Sequence, residues 1–510
     1  MTLGRHPVAS ATTAWTALYI GLWSTGQRFS TNFLDIGWQL VPRATLRDDP
    51  FGSVWYLHVQ PPLWNLTLGV VMRWSPLPDS ISLQLLLLAL AMATVAMLAS
   101  LLFRLTSNSW LAIGGSLVAM ADPQVLANLT QPTYEMVTTF GLVTVVWLVV
   151  HQPRSPRFTL VAVVIAGTAI VMIRTVFHPI WLVVLVGACA WMYRDRLAWR
   201  TVALVCLIPI ATIGGWMLKN EVVFGRATLS SWSGMNLQRA VVQVATDSQL
   251  AEWSARGEIS ELSVAFPGGF RTYPEYAELV EPCVARHSHP AVAALWRDDQ
   301  HFVPNYNAEC FLPIFDQAGR DARAVILHHP AVFLEGRWWA ARAWFVDGGL
   351  PAAPVSSLYQ PLRSMYRVLD LAVPARLPST RYAGSEFGVS SGRVRPSLSK
   401  IAFTILVLGA GLRAGIRRLR RLPTSRFAAV EMIAALIVGW SMAIGVLFEL
   451  GEQMRFRTMT DPITTALGIW LCARLIAHVR ERSGDRGGPP IEAVSDRRDS
   501  LIGRAATGGG

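Results

Sequence analysis

The sequence predicts an all-α polytopic membrane protein of about ten transmembrane helices, with an outer interfacial helix and an extracytoplasmic α-rich domain. Three observations predict it. Of 510 residues, 52% are hydrophobic and only 15% are charged, and the mean hydropathy is +0.37, too apolar for a soluble globule. Stretches such as Leu83 to Leu102, Leu111 to Leu129, Tyr134 to Val150 and Phe427 to Phe448 approach the roughly 20 apolar residues that a spanning helix requires. The net charge of +12 is concentrated in arginine clusters within short loops, which reads as a topology signal and argues against nucleic acid as a partner.

Taken in order, the apolar segments lie near residues 9–27, 80–103, 109–128, 135–151, 158–173, 177–193, 200–217, 398–416, 427–448 and 461–477. The first has no small-residue cleavage site after Trp15 to Trp23 and is expected to remain as a span. With both termini cytoplasmic, the inner loops carry Arg104; Arg154 and Arg157; Arg194, Arg196 and Arg200; then Arg417, Arg418, Arg420 and Arg421. Every strong arginine cluster then falls inside, as the positive-inside rule requires for a multi-pass inner (cytoplasmic) membrane protein.

The segment 61–75 opens with Pro61-Pro62, contains Arg73 and is too short to span. Counting it as a span would reverse every later loop, so it reads as an interfacial helix, with Trp64 and Trp74 suited to the headgroup zone. The N-terminal transmembrane module therefore covers 1–218, with a first outer loop at 28–60. An extracytoplasmic region follows at 219–397, expected helical over Pro274 to Val284 and over Asp316 to Trp344. The C-terminal helices occupy 398–478, and a Gly-, Pro- and charge-rich cytoplasmic tail at 479–510 is expected to be disordered. Cys283 and Cys310 both fall in the outer region, where an oxidising exterior is compatible with a disulfide; ordinary buried free cysteines are the alternative.

On this topology the polar residues that packing explains poorly converge on the outer face. Asp35 lies among Phe33, Leu34 and Ile36 just after the first span, where burial would raise a carboxyl pKa towards general-base work. Asp48-Asp49-Pro50 reads as a turn or helix cap. His58 and Gln60 either contact a substrate or anchor the loop to the interfacial helix. Glu135, Arg174, His178, Lys219 and Asn220 lie at the outer ends of later spans.

Glu449, Glu452, Arg455, Arg457 and Asp461 crowd the connection between the last two spans. Such a group must pair internally, tying helices together, or hold a ligand, for which a lipid phosphate suits the guanidinium fork. His287, His289, His328 and His329 have no partner at a metal-ligand spacing, so no metal site is predicted. Glycine-rich nucleotide loops and Gly-x-Ser-x-Gly elbows are absent, which argues against soluble nucleotide-sugar chemistry.

These residues resemble the membrane-embedded glycosyltransferases of the GT-C type, in the bacterial branch that includes protein mannosyltransferases and aminoarabinose transferases. The resemblance rests on Phe33-Leu34-Asp35 with Leu57-His58-Val59-Gln60-Pro61-Pro62-Leu63-Trp64-Asn65, on Tyr134-Glu135, and on Arg174 to His178. It continues through Phe224-Gly225 and Ser230 to Asn236, and ends on Glu449 to Pro462. It implies a polyprenyl-phosphate-linked sugar donor, a glycan, lipid or protein acceptor hydroxyl, membrane lipids as surroundings, and inversion at the anomeric carbon. No cofactor is required on this reading, and a divalent cation can be accommodated.

By the resemblance Asp35 is the base. Arg455 and Arg457, with Arg174 and Lys219, steady the departing lipid phosphate, and His58, Gln60, His178, Asn236 and Glu452 complete the binding set. Ile36 stands where many relatives have a second acid, leaving that role to Glu135, Asp48 or Asp49. A lipid-linked glycan transporter and a catalytically inactive relative are the competing readings. A transporter is expected to place its polar groups near mid-bilayer rather than at one rim.

Overall fold

The computed structural model describes residues 6–37, 39–151, 156–266, 279–280, 283–297, 303–346, 356–376, 393–425 and 427–482. Each of the ten apolar segments overlaps a helix. Among the described residues, six helices are long and apolar enough to cross a membrane: Asp79–Thr106, Pro156–Ile173, Trp199–Phe224, Leu398–Leu419, Ala428–Leu447 and Asp461–Arg482. Pro7–Ser24 and the shorter apolar helices Ser109–Met120, Glu135–His151 and Pro179–Met192 pack among them. The chain is thus built as a multi-pass membrane protein.

The long helices are apolar on most of their circumference, so the bundle interior is distinguished by packing rather than by polarity. Trp15, Trp64, Trp181, Phe177 and Trp470 are fully buried in it. Leu204, Leu207, Ile210, Leu218 and Val222 of the Trp199–Phe224 span point outward, as expected of a helix that meets lipid. That span carries Pro209 and passes through a π turn at Ile210–Gly214, where the proline's missing N–H relaxes the ladder without ending the helix. The helix runs on through Lys219 to Phe224.

The described part of 219–397 is α-rich. Its one ladder joins Ala375–Arg376 to Arg393–Val394 in antiparallel register. Ser233–Val242 crosses Leu312–His328 at a point where a Cβ on Gly234 would lie 3.1 Å from the Gly319 Cα, so only small residues allow the approach. Val241, Val242, Leu250, Trp253 and Val325 form a second small core there.

Two expectations are corrected. The single helix over Asp316 to Trp344 is two, Leu312–His328 and Pro330–Trp344, because Pro330 cannot donate to the ladder and forces His329 out of the helical region (φ −129°). The interfacial segment is a helix, Pro62–Trp74, yet Trp64 is 2% exposed and donates its indole N–H to the Pro132 carbonyl, so it anchors a protein interior; Trp74 alone is exposed. The expected helix at Pro274 to Val284 lies largely outside the described residues, as does the tail from 483 onward. Cys283 and Cys310 form a disulfide with a Cα–Cα distance of 5.9 Å.

Candidate functional site

The first loop is built from three short helices, Asn32–Ile36, Arg43–Asp48 and Pro50–Trp55, rather than extended chain. Asp49 caps Pro50–Trp55 by accepting from the Gly52 N–H, which is the turn reading of Asp48-Asp49-Pro50. Asp35 sits on the short helix Asn32–Ile36, and its side chain is 54% exposed rather than buried among its apolar neighbours. Its carboxylate lies 3.5 Å from the Arg43 guanidinium. Arg43 and Arg47 converge on the buried carboxylate of Asp79, at the start of the Asp79–Thr106 helix. Both arginines line an open cleft of about 610 Å³, together with Thr31, Met72 and Pro76.

What holds Asp35 there is a residue that no motif or spacing singles out. Arg297 donates to the carbonyls of Leu34, Asp35, Gly37, Leu40 and Val41, so one guanidinium gathers the turn around Asp35. Arg297→Ala is expected to speed exchange of the amide hydrogens at 34, 37, 40 and 41 on the order of 10- to 100-fold, the equivalent of losing a charged hydrogen bond of about 1.5–3 kcal/mol. Hydrogen-exchange mass spectrometry in micelles checks this, with helices remote from the loop as the internal control.

A second group is a buried chain of alternating charge. Glu135 accepts from Arg455 Nε at 2.5 Å, and Arg455 lies 3.5 Å from Glu452. Glu452 lies 3.8 Å from Arg239, which pairs closely with Glu449. Arg174 stacks over the Tyr134 ring at 3.8 Å, Arg455 over the same ring at 4.8 Å, and the Tyr134 hydroxyl donates to Gln39 Oε1. Gln39 belongs to the first loop, so Tyr134 links that loop to Arg455. Glu135 Oε2 and Arg455 Nη2 are buried without a hydrogen bond among the described residues.

Arg457 departs from the expected phosphate-binding pair with Arg455. It donates to Asp461, Gln124 and the carbonyls of Trp344 and Val346, and these contacts occupy its fork within the protein. It belongs to a third group, in which Lys400 holds Asp122 at 2.6 Å, Asp461 at 3.2 Å and Asp370 at 3.7 Å.

The remaining predicted residues separate. His58 is 1% exposed; its N–H donates to Asn307 Oδ1, its Nδ1 meets the Ser231 hydroxyl, and its Nε2 is buried without a hydrogen bond among the described residues. Gln60 is buried. Lys219 donates to the Leu57 carbonyl and stacks over Trp216, so it buttresses the chain just before His58. Asn236 accepts from Trp232 one turn earlier, and exposed His178 caps Pro179–Met192. Three of the histidines find carboxylates that are remote in sequence: His287 with Glu309, His289 with Asp49, His329 with Glu258. Among the described residues no group of three or more metal-ligating side chains forms.

Burial, with the charges of Lys219 and Arg226 adding, pushes the His58 pKa down to about 3 from an ordinary 6.5. The folded protein therefore binds fewer protons than the unfolded chain below pH 6.5. Stability is complete above that value and is expected to fall by about 1.4 kcal/mol per pH unit as the medium is acidified towards pH 3. Denaturation in detergent at pH 7 and pH 5 should show a loss of about 2 kcal/mol that His58→Gln removes.

No family model matches the chain, and no curated protein matches it. Among solved structures it is similar to the archaeal oligosaccharyltransferase AglB from Archaeoglobus fulgidus, in complex with an inhibitory peptide and a dolichol-phosphate. The likeness covers 95% of this chain and 52% of that one, at 11% identity and a TM-score of 0.39. The chain thus spans about half the length of that protein.

Proposed function

We propose that the chain is a GT-C-type glycosyltransferase that moves a sugar from a polyprenyl-phosphate donor to an acceptor hydroxyl at the outer face of the cytoplasmic membrane, with inversion. The observation that carries this reading is the placement of Asp35. It is a half-exposed carboxylate on a turn gathered by Arg297, and it lies 3.5 Å from an arginine that lines an open cleft. A general base needs an accessible carboxylate held in position, with positive charge near the departing group.

In this step Asp35 takes the acceptor's proton as its oxygen bonds to the anomeric carbon. The bond from that carbon to the phosphate oxygen breaks, and its electron pair leaves with the polyprenyl phosphate. Arg43 and Arg47, rather than Arg457, are assigned to that phosphate, since their side chains remain 31% and 45% exposed on the cleft while Arg457 is 3% exposed and enclosed by protein acceptors. Arg455, with Glu135, is assigned to the wall joined to the first loop through Tyr134 and Gln39.

The test is incubation of the purified protein in vesicles with a panel of polyprenyl-phosphate sugars and glycan, lipid and peptide acceptors, following released polyprenyl phosphate and glycosylated product. Transfer from at least one donor is expected, with KM for that donor raised in the Arg43→Gln, Arg47→Gln variant. Absence of transfer from every donor by folded protein would overturn the proposal.

A further inference from the structure

The helix Tyr359–Leu369 has three distinct sides. Tyr359 and Tyr366 are buried and donate their hydroxyls to the carbonyls of Pro123 and Val118. Arg363 and Arg367 lie along one edge, and with Arg395 they line a recess that also contains Lys400, Asp122 and Asp370. On the other flank Leu358, Met365, Val368 and Leu369 share one sector of the helix and are 43%, 49%, 74% and 49% exposed. This sector is uncovered among the described residues.

The helix sits at the end of the bundle. Val118 is in the last turn of Ser109–Met120, and the Ser399 N–H, in the first turn of the Leu398–Leu419 span, donates to the Asp370 carbonyl. Lys400 of that same first turn reaches Asp122 and Asp461, so the ends of three apolar helices share this level. Such a level is where a bilayer surface meets the protein. An amphipathic helix held there, with arginines beside an apolar sector, matches the chemistry of an interfacial segment on an anionic headgroup layer.

We infer that Tyr359–Leu369 lies in the plane of the membrane surface, with its Leu358, Met365, Val368 and Leu369 sector sunk to the headgroup–acyl boundary and its arginine edge set against anionic lipid phosphates. A second protein on this sector is the competing occupant. Leu398, in the first turn of a span, is itself 46% exposed and lies next to Ser399, whose N–H meets the Asp370 carbonyl just past this helix, and the recess beside the helix is rich in arginine; both favour lipid.

The test uses the full chain with Cys189, Cys206 and Cys472 replaced by alanine, the Cys283–Cys310 disulfide intact, and single nitroxide labels on Met365→Cys, Val368→Cys and Gln360→Cys, in phosphatidylethanolamine–phosphatidylglycerol vesicles. Collisions with oxygen should exceed those with a water-soluble nickel chelate at 365 and 368, with the order reversed at 360. Leu358→Cys supplies a second reading of the apolar sector should a label at 365 disturb packing. Nickel-chelate access at 365 and 368, or shielding from both colliders, would overturn the inference, the latter by revealing a protein occupant. The label at 365 should also lie deeper in these vesicles than in pure phosphatidylcholine, and equal depth in the two would overturn the assignment of anionic lipid.

Discussion

Lys400→Met is expected to cost the folded protein about 3–5 kcal/mol, the range for leaving buried charges without their partner. Lys400 holds Asp122, Asp461 and Asp370 within 3.7 Å, and Asp122 and Asp461 are almost wholly buried. Methionine fits the space of the aliphatic stem but supplies no charge, and Arg457, already occupied by Asp461, Gln124 and two carbonyls, does not replace it. The compensating variant distinguishes charge imbalance from a packing fault. Lys400→Met with Asp122→Asn restores the balance and keeps the oxygen that accepts from the Gln124 N–H, so it should regain more than half of the loss. Chemical denaturation in detergent measures both variants.

Asp35→Asn is expected to reduce sugar transfer about 100- to 10,000-fold, the usual contribution of a positioned general base. Its effect on stability should be small. The side chain is half exposed, and an exposed ion pair at 3.5 Å contributes about 0–1 kcal/mol. The Arg297 clamp acts on backbone carbonyls, which asparagine retains. A large loss of activity beside an unchanged denaturation curve therefore separates a proton-transfer role from a structural one. Lys400→Met should show the opposite pattern in denaturation, so the pair discriminates between the two ionic groups.

Much of the helical framework was legible because spanning helices write themselves as long apolar runs, and all ten expected segments overlap helices. The break at Pro330 was equally visible in the sequence as a residue that cannot continue a helix, and the expected helix nonetheless ran across it. The partners within the site were far less legible. Arg239 meets Glu449 across 210 residues, and Arg297 meets the first loop across about 260; a lone arginine in a polar segment has no periodicity to mark it. Lys400 carried no clearer mark, since a lysine in the first turn of an apolar span can equally extend to water at the interface.

Arg43 and Arg47 stood in the first loop beside Asp35, but only the fold shows that Asp79 turns both to one cleft. The same limit explains Arg457. Sequence spacing places it with Arg455, whereas the helix Gln453–Thr458 sends the two guanidiniums to different partners.

The most direct test is single-turnover transfer from a labelled polyprenyl-phosphate sugar by wild type and Asp35→Asn, reconstituted side by side and matched for folding. Transfer by wild type is expected, with release of one polyprenyl phosphate per sugar moved, and a rate at least about 100-fold lower for the variant. Equal rates for the two proteins would rule out Asp35 as the base.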